Sequence, residues 1–124
     1  MKKILVVDDD ADIREAIITV LSKGYECKEA DSGASAKNAL QSFSPDLLIL
    51  DVMMESMSTG FDLARLVRKQ SPSSRILMLT GVDKEVNIDF KSEAPNPDWL
   101  PVDAYLSKPV VPTVLAEKVK ELIG

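Results

Sequence analysis

The stretch Pro45–Asp51, PDLLILD, constrains the fold of this chain more than any other. A proline and an aspartate open it, four aliphatic residues follow without a break, and an acid ends it. An apolar run that short, bounded by turn-forming residues, suits a central strand buried on both faces. Strands of this kind belong to parallel sheets, whose ligands bind just beyond the carboxyl ends of the strands. Asp51 stands at such an end and is the first candidate for a reactive group.

The rest of the chain supplies partners for that strand. Lys3–Val7 (KILVV) and Arg75–Thr80 (RILMLT) read as buried strands for the same reason, Tyr25–Ala30 as a weaker strand nearer an edge, and Ala104–Ser107 as a short final one. Between them lie amphipathic helices. Ile13, Ala16, Ile17, Val20 and Leu21 make one face of a helix over Ala11–Lys23, with Asp10 as its N-cap and Gly24 as its stop. Ser32 caps a second helix, whose face is Ala36, Ala39, Leu40 and Phe43. Val52–Thr59 reads as a polar, methionine-rich loop ending at Gly60. Phe61–Gln70 is a third helix, with Phe61, Ala64 and Val67 on one face and Leu63 and Leu66 broadening it. Pro112 fits the first turn of a last helix that turns Leu115, Val119, Leu122 and Ile123 inward. Over Val82–Leu100, Val86, Ile88 and Phe90 alternate like a strand while Asp83–Asn87 could start a helix, and Pro95, Pro97 and Pro101 forbid a long helix through the second half. Strand and helix alternate five times, one helix being poorly defined, which implies parallel strands joined by right-handed crossovers with helices on both faces. With no linker, repeat or low-complexity segment, residues 1–124 are expected to form a single domain.

Composition removes several function classes. A net charge of −5 argues against direct nucleic-acid binding. The single cysteine, Cys27, excludes an internal disulfide and a thiolate metal cage, and the absence of histidine excludes histidine bases and histidine metal sites. No stretch is long and apolar enough to span a bilayer, and the amino-terminal apolar run meets acids too soon for a signal peptide. A cytoplasmic location with no membrane contact is the expectation.

Five side chains remain at the strand ends: Asp8 and Asp9 after the first, Asp51 on the central one, Thr80 on the fourth and Lys108 after the fifth. In a parallel sheet all five share one rim. Three carboxylates in one place repel, and a hard divalent cation such as Mg²⁺ removes the conflict through oxygen ligands. Asp51 could then attack a phosphoryl group, with Thr80 donating a hydrogen bond to one phosphoryl oxygen and Lys108 neutralising another. Singly, each residue also fits an ordinary role: Asp10 a cap, Asp8 or Asp9 a strand-end acid, Thr80 a turn residue, Lys108 a solvated charge. Their joint placement is what points to a site.

KILVVDDD, LLILDVMM, ILMLTG and AYLSKPV, in this order and spacing, resemble the receiver domain of bacterial two-component response regulators, over nearly the whole chain. The resemblance implies a flavodoxin-like, doubly wound sheet of five parallel strands in the order 2-1-3-4-5. It implies that Asp51 accepts a phosphoryl group from the phosphohistidine of a sensor histidine kinase or phosphotransfer protein. It implies Mg²⁺ held by Asp8, Asp9, Asp51 and the backbone carbonyl of Met53, with Thr80 and Lys108 as the hydroxyl and lysine of the reaction. Tyr105 takes the aromatic switch position, and the Lys108–Pro109 bond is expected to be cis. Such a protein is a signalling module acting on a downstream protein target, and its only chemistry is its own phosphorylation and dephosphorylation.

Two departures from that family stand out, and a third point bears on the lifetime of the phosphoryl group. Glu55 takes the place of a proline after Asp51, where it either approaches the metal through water or is solvated, and Gly60 comes one residue late. The span from Thr80 to Lys108 is roughly half a dozen residues longer than usual and carries Trp99, which reads either as a partner anchor or as cover for core left bare by a short helix. In that family the side chains two residues beyond the phosphoacceptor and the conserved threonine flank the path of the hydrolytic water; here they are Met53 and Val82, both apolar, so slow self-dephosphorylation is expected.

Rival readings are a receiver-like adaptor that works without phosphorylation and a haloacid-dehalogenase-type phosphohydrolase with Asp8 as nucleophile. The second lacks the late acidic pair that chemistry needs, since Asp98 and Asp103 are isolated. A flavin module on the same fold fails because three aspartates would repel the flavin phosphate.

Overall fold

A computed structural model of the chain describes residues 1–51, 57–80 and 102–124. Strands β1 (Lys3–Val7), β2 (Glu26–Ala30), β3 (Leu47–Asp51), β4 (Arg75–Thr80) and β5 (Ala104–Ser107) form one sheet in the order β2-β1-β3-β4-β5, every pairing parallel. The expected topology is the observed one. All five residues of β3 are buried, because β1 and β4 flank it and helices cover both of its faces. β2, at the edge, exposes three of its five residues, as its mixed composition implied.

The pleat divides the aliphatic runs cleanly between two layers. Leu5, Val7, Leu48, Leu50, Ile76 and Met78 face one side, where α2 (Gly33–Leu40) and α3 (Met57–Gln70) supply Ala36, Ala39, Leu40, Leu63, Ala64 and Val67. Ile4, Val6, Leu47, Ile49, Leu77 and Leu79 face the other, against Ile17 and Leu21 of α1 (Ala11–Leu21) and Leu115, Val119 and Ile123 of α4 (Pro112–Ile123). Each fully buried leucine or isoleucine here contributes roughly 1.5–3 kcal/mol of transfer free energy.

Helix starts follow the sequence signals, and helix ends follow them less well. Asp10 Oδ1 accepts from the backbone N–H groups of Asp12 at 2.9 Å and Ile13 at 3.4 Å. Ser32 and Ser35 close a reciprocal capping box on α2, a serine serving where glutamate is usual. Pro112 opens α4. Gly24, however, does not stop α1 as a left-handed cap. The helix ends two residues earlier than the expected Lys23, because its last turn tightens through bonds from Gly24 N and Tyr25 N to the Leu21 carbonyl. Those bonds hold Tyr25 in the turn, so β2 begins at Glu26.

The larger correction is in α3. The expected loop over Val52–Thr59 and helix over Phe61–Gln70 give way to a helix already formed at Met57. Gly60, read as the loop's end, lies inside that helix. It is buried at the head of the row Gly60, Leu63, Ala64 and Val67, one continuous inward stripe, and burial of that stripe outweighs the cost of a helical glycine. The expectations for Met53, Glu55, Val82 and Trp99 lie outside the described residues.

At the opposite end of the sheet from the acids, Asp103 ties β4 to β5. Its carboxylate accepts from the Ile76 backbone N–H at 2.8 Å and pairs with Arg68 at 2.7 Å and Arg75 at 3.4 Å.

Candidate functional site

Strand register assembles the site. Val7 pairs with Leu50, so Asp8 follows β1 level with Asp51 at the end of β3. Asp51 pairs with Leu79, so Thr80 comes one residue further along β4; Thr80 pairs with Ser107, which places Lys108 one residue beyond on the next strand. A slip of one residue in any pairing would turn these side chains to the wrong face.

Carboxylate oxygens of Asp8, Asp9 and Asp51 lie within 4.8 Å of one another. Asp8 is fully buried, Asp51 is 5% exposed, and Asp9 faces solvent. Lys108 reaches across from β5, with Nζ 3.1 Å from Asp51 Oδ2 and 3.2 Å from Asp8 Oδ2. Its backbone N–H donates to the Thr80 carbonyl at 2.7 Å, which fastens the lysine to the end of β4. The other oxygen of Asp8 accepts from the Asp10 N–H at 2.9 Å.

Three acids and one ammonium leave an excess of two negative charges in a largely dry place. Burial pushes the Asp8 carboxyl above its usual range and the charge of Asp51 adds to this, against the opposing pull of the Asp10 N–H and Lys108. Burial alone would lower the Lys108 ammonium, but the hydrogen bond to Asp51 and the charges of Asp51 and Asp8 together hold it above the usual lysine value. Asp8 Oδ2 touches Lys108 as an ion pair, yet the contact lacks hydrogen-bond geometry, so this buried oxygen has no hydrogen-bond donor among the described residues. A buried carboxylate oxygen short of a donor, facing two further carboxylates, is a donor set that suits a hard divalent cation. Asp8, Asp9 and Asp51 are the residues that would hold it; Met53, expected as a further ligand, is outside the described residues.

Thr80 is buried at 6% exposure. Tyr105 lies two residues before Thr80's partner on β5 and on the same face of the sheet, half-buried against the α2–α3 layer. Threonine and ring are therefore diagonal neighbours, a spacing within reach of an aromatic side chain. The Lys108–Pro109 bond is cis, as the resemblance implied. Asp10 lies outside the acid cluster, and its carboxylate caps α1.

Two features escaped the sequence reading. One is Arg14, whose NH1 donates to the Asp8 backbone carbonyl at 2.7 Å and whose Nε pairs with Glu29 of β2 at 2.7 Å. Its signal was a cation in the first turns of a helix, where the helix dipole disfavours positive charge. The other is a groove of about 510 Å³ beside the site, lined by Asp12, Ile13, Ala16, Lys108, Pro109 and Val110. It needs α1 and the turn after β5 side by side, and no local pattern announces that.

Residues 4–120 match the family model for the response regulator receiver domain. The chain is 36% identical over 126 residues to the response regulator receiver protein CpdR of Brucella abortus, covering 99% of this chain and 98% of that protein. It is 34% identical over 127 residues to the alkaline phosphatase synthesis transcriptional regulatory protein PhoP of Bacillus subtilis, covering 98% of this chain but 48% of that one. It thus spans about half the length of several curated relatives and nearly all of another. Among solved structures, the chemotaxis response regulator CheY4 of Vibrio cholerae superposes with a TM-score of 0.82 at 29% identity, over 99% of both chains.

Proposed function

This chain belongs to the response regulator receiver domains of two-component systems, and we propose that residues 1–124 act as one cytoplasmic receiver unit switched by phosphorylation of Asp51. The donor is the phosphohistidine of a sensor histidine kinase or phosphotransfer protein, and the readout is altered binding of a downstream protein. The observation that carries this reading is the buried Asp51 carboxylate at the end of β3, within 4.8 Å of Asp8 and Asp9 and 3.1 Å from Lys108.

In the transfer, an Asp51 oxygen forms a bond to phosphorus as the phosphorus–nitrogen bond to the donor imidazole breaks, and that nitrogen takes a proton from solvent. Asp8 and Asp9, with Asp51 and the Met53 carbonyl, would hold Mg²⁺, which supplies charge compensation for the phosphoryl oxygens. Lys108 already contacts Asp51 and can move its Nζ to a phosphoryl oxygen by a small rotation. Thr80, one residue beyond Asp51's register partner, donates its hydroxyl to another. Drawing Thr80 toward the phosphoryl group vacates space on its face of the sheet, and Tyr105, its diagonal neighbour, turns into it. Phosphorylation at the rim thereby becomes a change at the surface near β5. The domain is a signalling module, and its chemistry is confined to its own aspartate.

The test is intact-protein mass after incubation with acetyl phosphate and Mg²⁺. One phosphoryl group gained by the native chain, and by neither an Asp51→Asn variant nor an EDTA control, is the expected result. No gain by folded, Mg²⁺-bound protein would overturn the reading in favour of an unphosphorylated adaptor.

A further inference from the structure

Asp9 is the exposed member of the acid cluster, and its carboxylate has no hydrogen bond or ion pair to another described residue. Its position is therefore set by the backbone that carries it. That backbone is held on three sides. Asp8 N donates to the Ala30 carbonyl at 3.2 Å, Asp10 N donates to Asp8 Oδ1 at 2.9 Å, and the Asp8 carbonyl accepts from Arg14 NH1 at 2.7 Å. The Asp8 carbonyl belongs to the planar Asp8–Asp9 peptide, so fixing its direction fixes the Asp9 N and Cα, and the Asp10 N–H held by Asp8 Oδ1 fixes the peptide on the other side, which together set where the Asp9 side chain starts.

Arg14 is suited to that task. Its side chain is 14% exposed, and a second of its three nitrogens, Nε, is anchored on Glu29, the residue before Ala30 on β2. One rigid guanidinium thus joins α1, the end of β2 and the acid-bearing turn through two separately placed nitrogens, a fixed geometry that a lysine ammonium does not impose. The helix itself gains nothing from a cation so near its N-terminus. We propose that Arg14 is a positioning residue for the metal site, orienting the Asp8–Asp9 peptide so that both carboxylates are presented to the cation, with Glu29 as its anchor. This rests on the metal reading given above.

Mn²⁺ is the probe, with free ion counted by electron paramagnetic resonance during titration of the full chain. Arg14→Ala is expected to weaken Mn²⁺ binding about tenfold, the lower end of the range for lost outer-shell partners. Arg14→Lys, which keeps one donor for the Asp8 carbonyl, is expected to recover part of that loss and serves if Arg14→Ala does not fold. Asp103→Ala breaks a comparable ion-pair cluster at the far end of the sheet and is expected to leave Mn²⁺ affinity unchanged. With acetyl phosphate, Arg14→Ala is expected to raise the half-saturating Mg²⁺ concentration about tenfold and to leave the rate at saturating Mg²⁺ within about twofold. The proposal is overturned if folded Arg14→Ala binds Mn²⁺ within about twofold of the native chain, or if Asp103→Ala weakens binding equally. Failure of the native chain to bind Mn²⁺ at all would instead remove the metal reading itself.

Discussion

Replacing Asp8 with asparagine is expected to stabilise the metal-free protein while abolishing its response to Mg²⁺. At an effective dielectric of about 20, the Asp8–Asp51 repulsion, at a separation within 4.8 Å, is at least about 3 kcal/mol, and the Asp8–Lys108 attraction at 3.2 Å is about 5 kcal/mol. Asp9 adds a solvent-screened repulsion, so the pairwise contributions nearly cancel and the burial of a fully enclosed carboxylate decides the sign. Asparagine keeps an oxygen for the Asp10 N–H, and Lys108 retains Asp51 at 3.1 Å, so no buried charge is left unpaired. The expected gain is about 1–2 kcal/mol, and for a domain of this size each kcal/mol raises Tm by about 4 °C. Native protein should gain about 1.4 kcal/mol at Mg²⁺ ten times its Kd, and the variant none. Because the folded Asp8 carboxyl titrates above its unfolded value of 3.8, its favourable contribution is complete below that value and is lost as pH rises through the folded one. The Tm difference between variant and native chain should accordingly shrink as pH falls through that window. Scanning calorimetry in EDTA and in Mg²⁺, across pH 3.5 to about 7.5, reads all three effects. A variant less stable than the native chain in EDTA, or one that keeps the full Mg²⁺ shift, would refute the reasoning.

Asp103→Ala removes the acceptor for the Ile76 N–H and two arginine contacts, so it should cost about 2 kcal/mol, seen as a lower urea midpoint with an unchanged slope. Burial holds the Cys27 thiol above the usual range, so a disulfide reagent near neutral pH should modify the native chain at least about tenfold more slowly than the urea-unfolded one, and equal rates would contradict that. If a protein donor docks over the groove beside Lys108, Ile13→Asp should slow phosphotransfer from a kinase about tenfold and leave phosphorylation by acetyl phosphate unchanged, and equal slowing of both would contradict docking there. Because the receiver resemblance assigns apolar Met53 and Val82 to the positions two beyond Asp51 and Thr80, the phosphorylated chain should persist well beyond seconds in excess Mg²⁺, as followed by mass.

Residue order alone determined the places of the strands and helix faces and the type of group at each strand end. Those are local properties: an unbroken aliphatic run, a 3.6-residue period or an aspartate before a helix declares itself within a few residues. Register was not legible in that way, although it decides whether Asp8, Asp51, Thr80 and Lys108 meet. It depends on Val7 lying beside Leu50 and Asp51 beside Leu79, contacts between residues far apart in the chain. The early start of α3 escaped for a related reason. Gly60 reads locally as a breaker, and only the buried row running on to Val67 shows why a helix passes through it. Arg14 is the clearest case. Its spacing on α1 marks it as a polar residue among apolar neighbours, whereas its role follows from a carbonyl on one element and a carboxylate on another. Periodicity can specify a face, but the partner of a polar side chain is chosen by packing, because a buried hydrogen bond is strong only where tertiary structure has excluded water and fixed both ends.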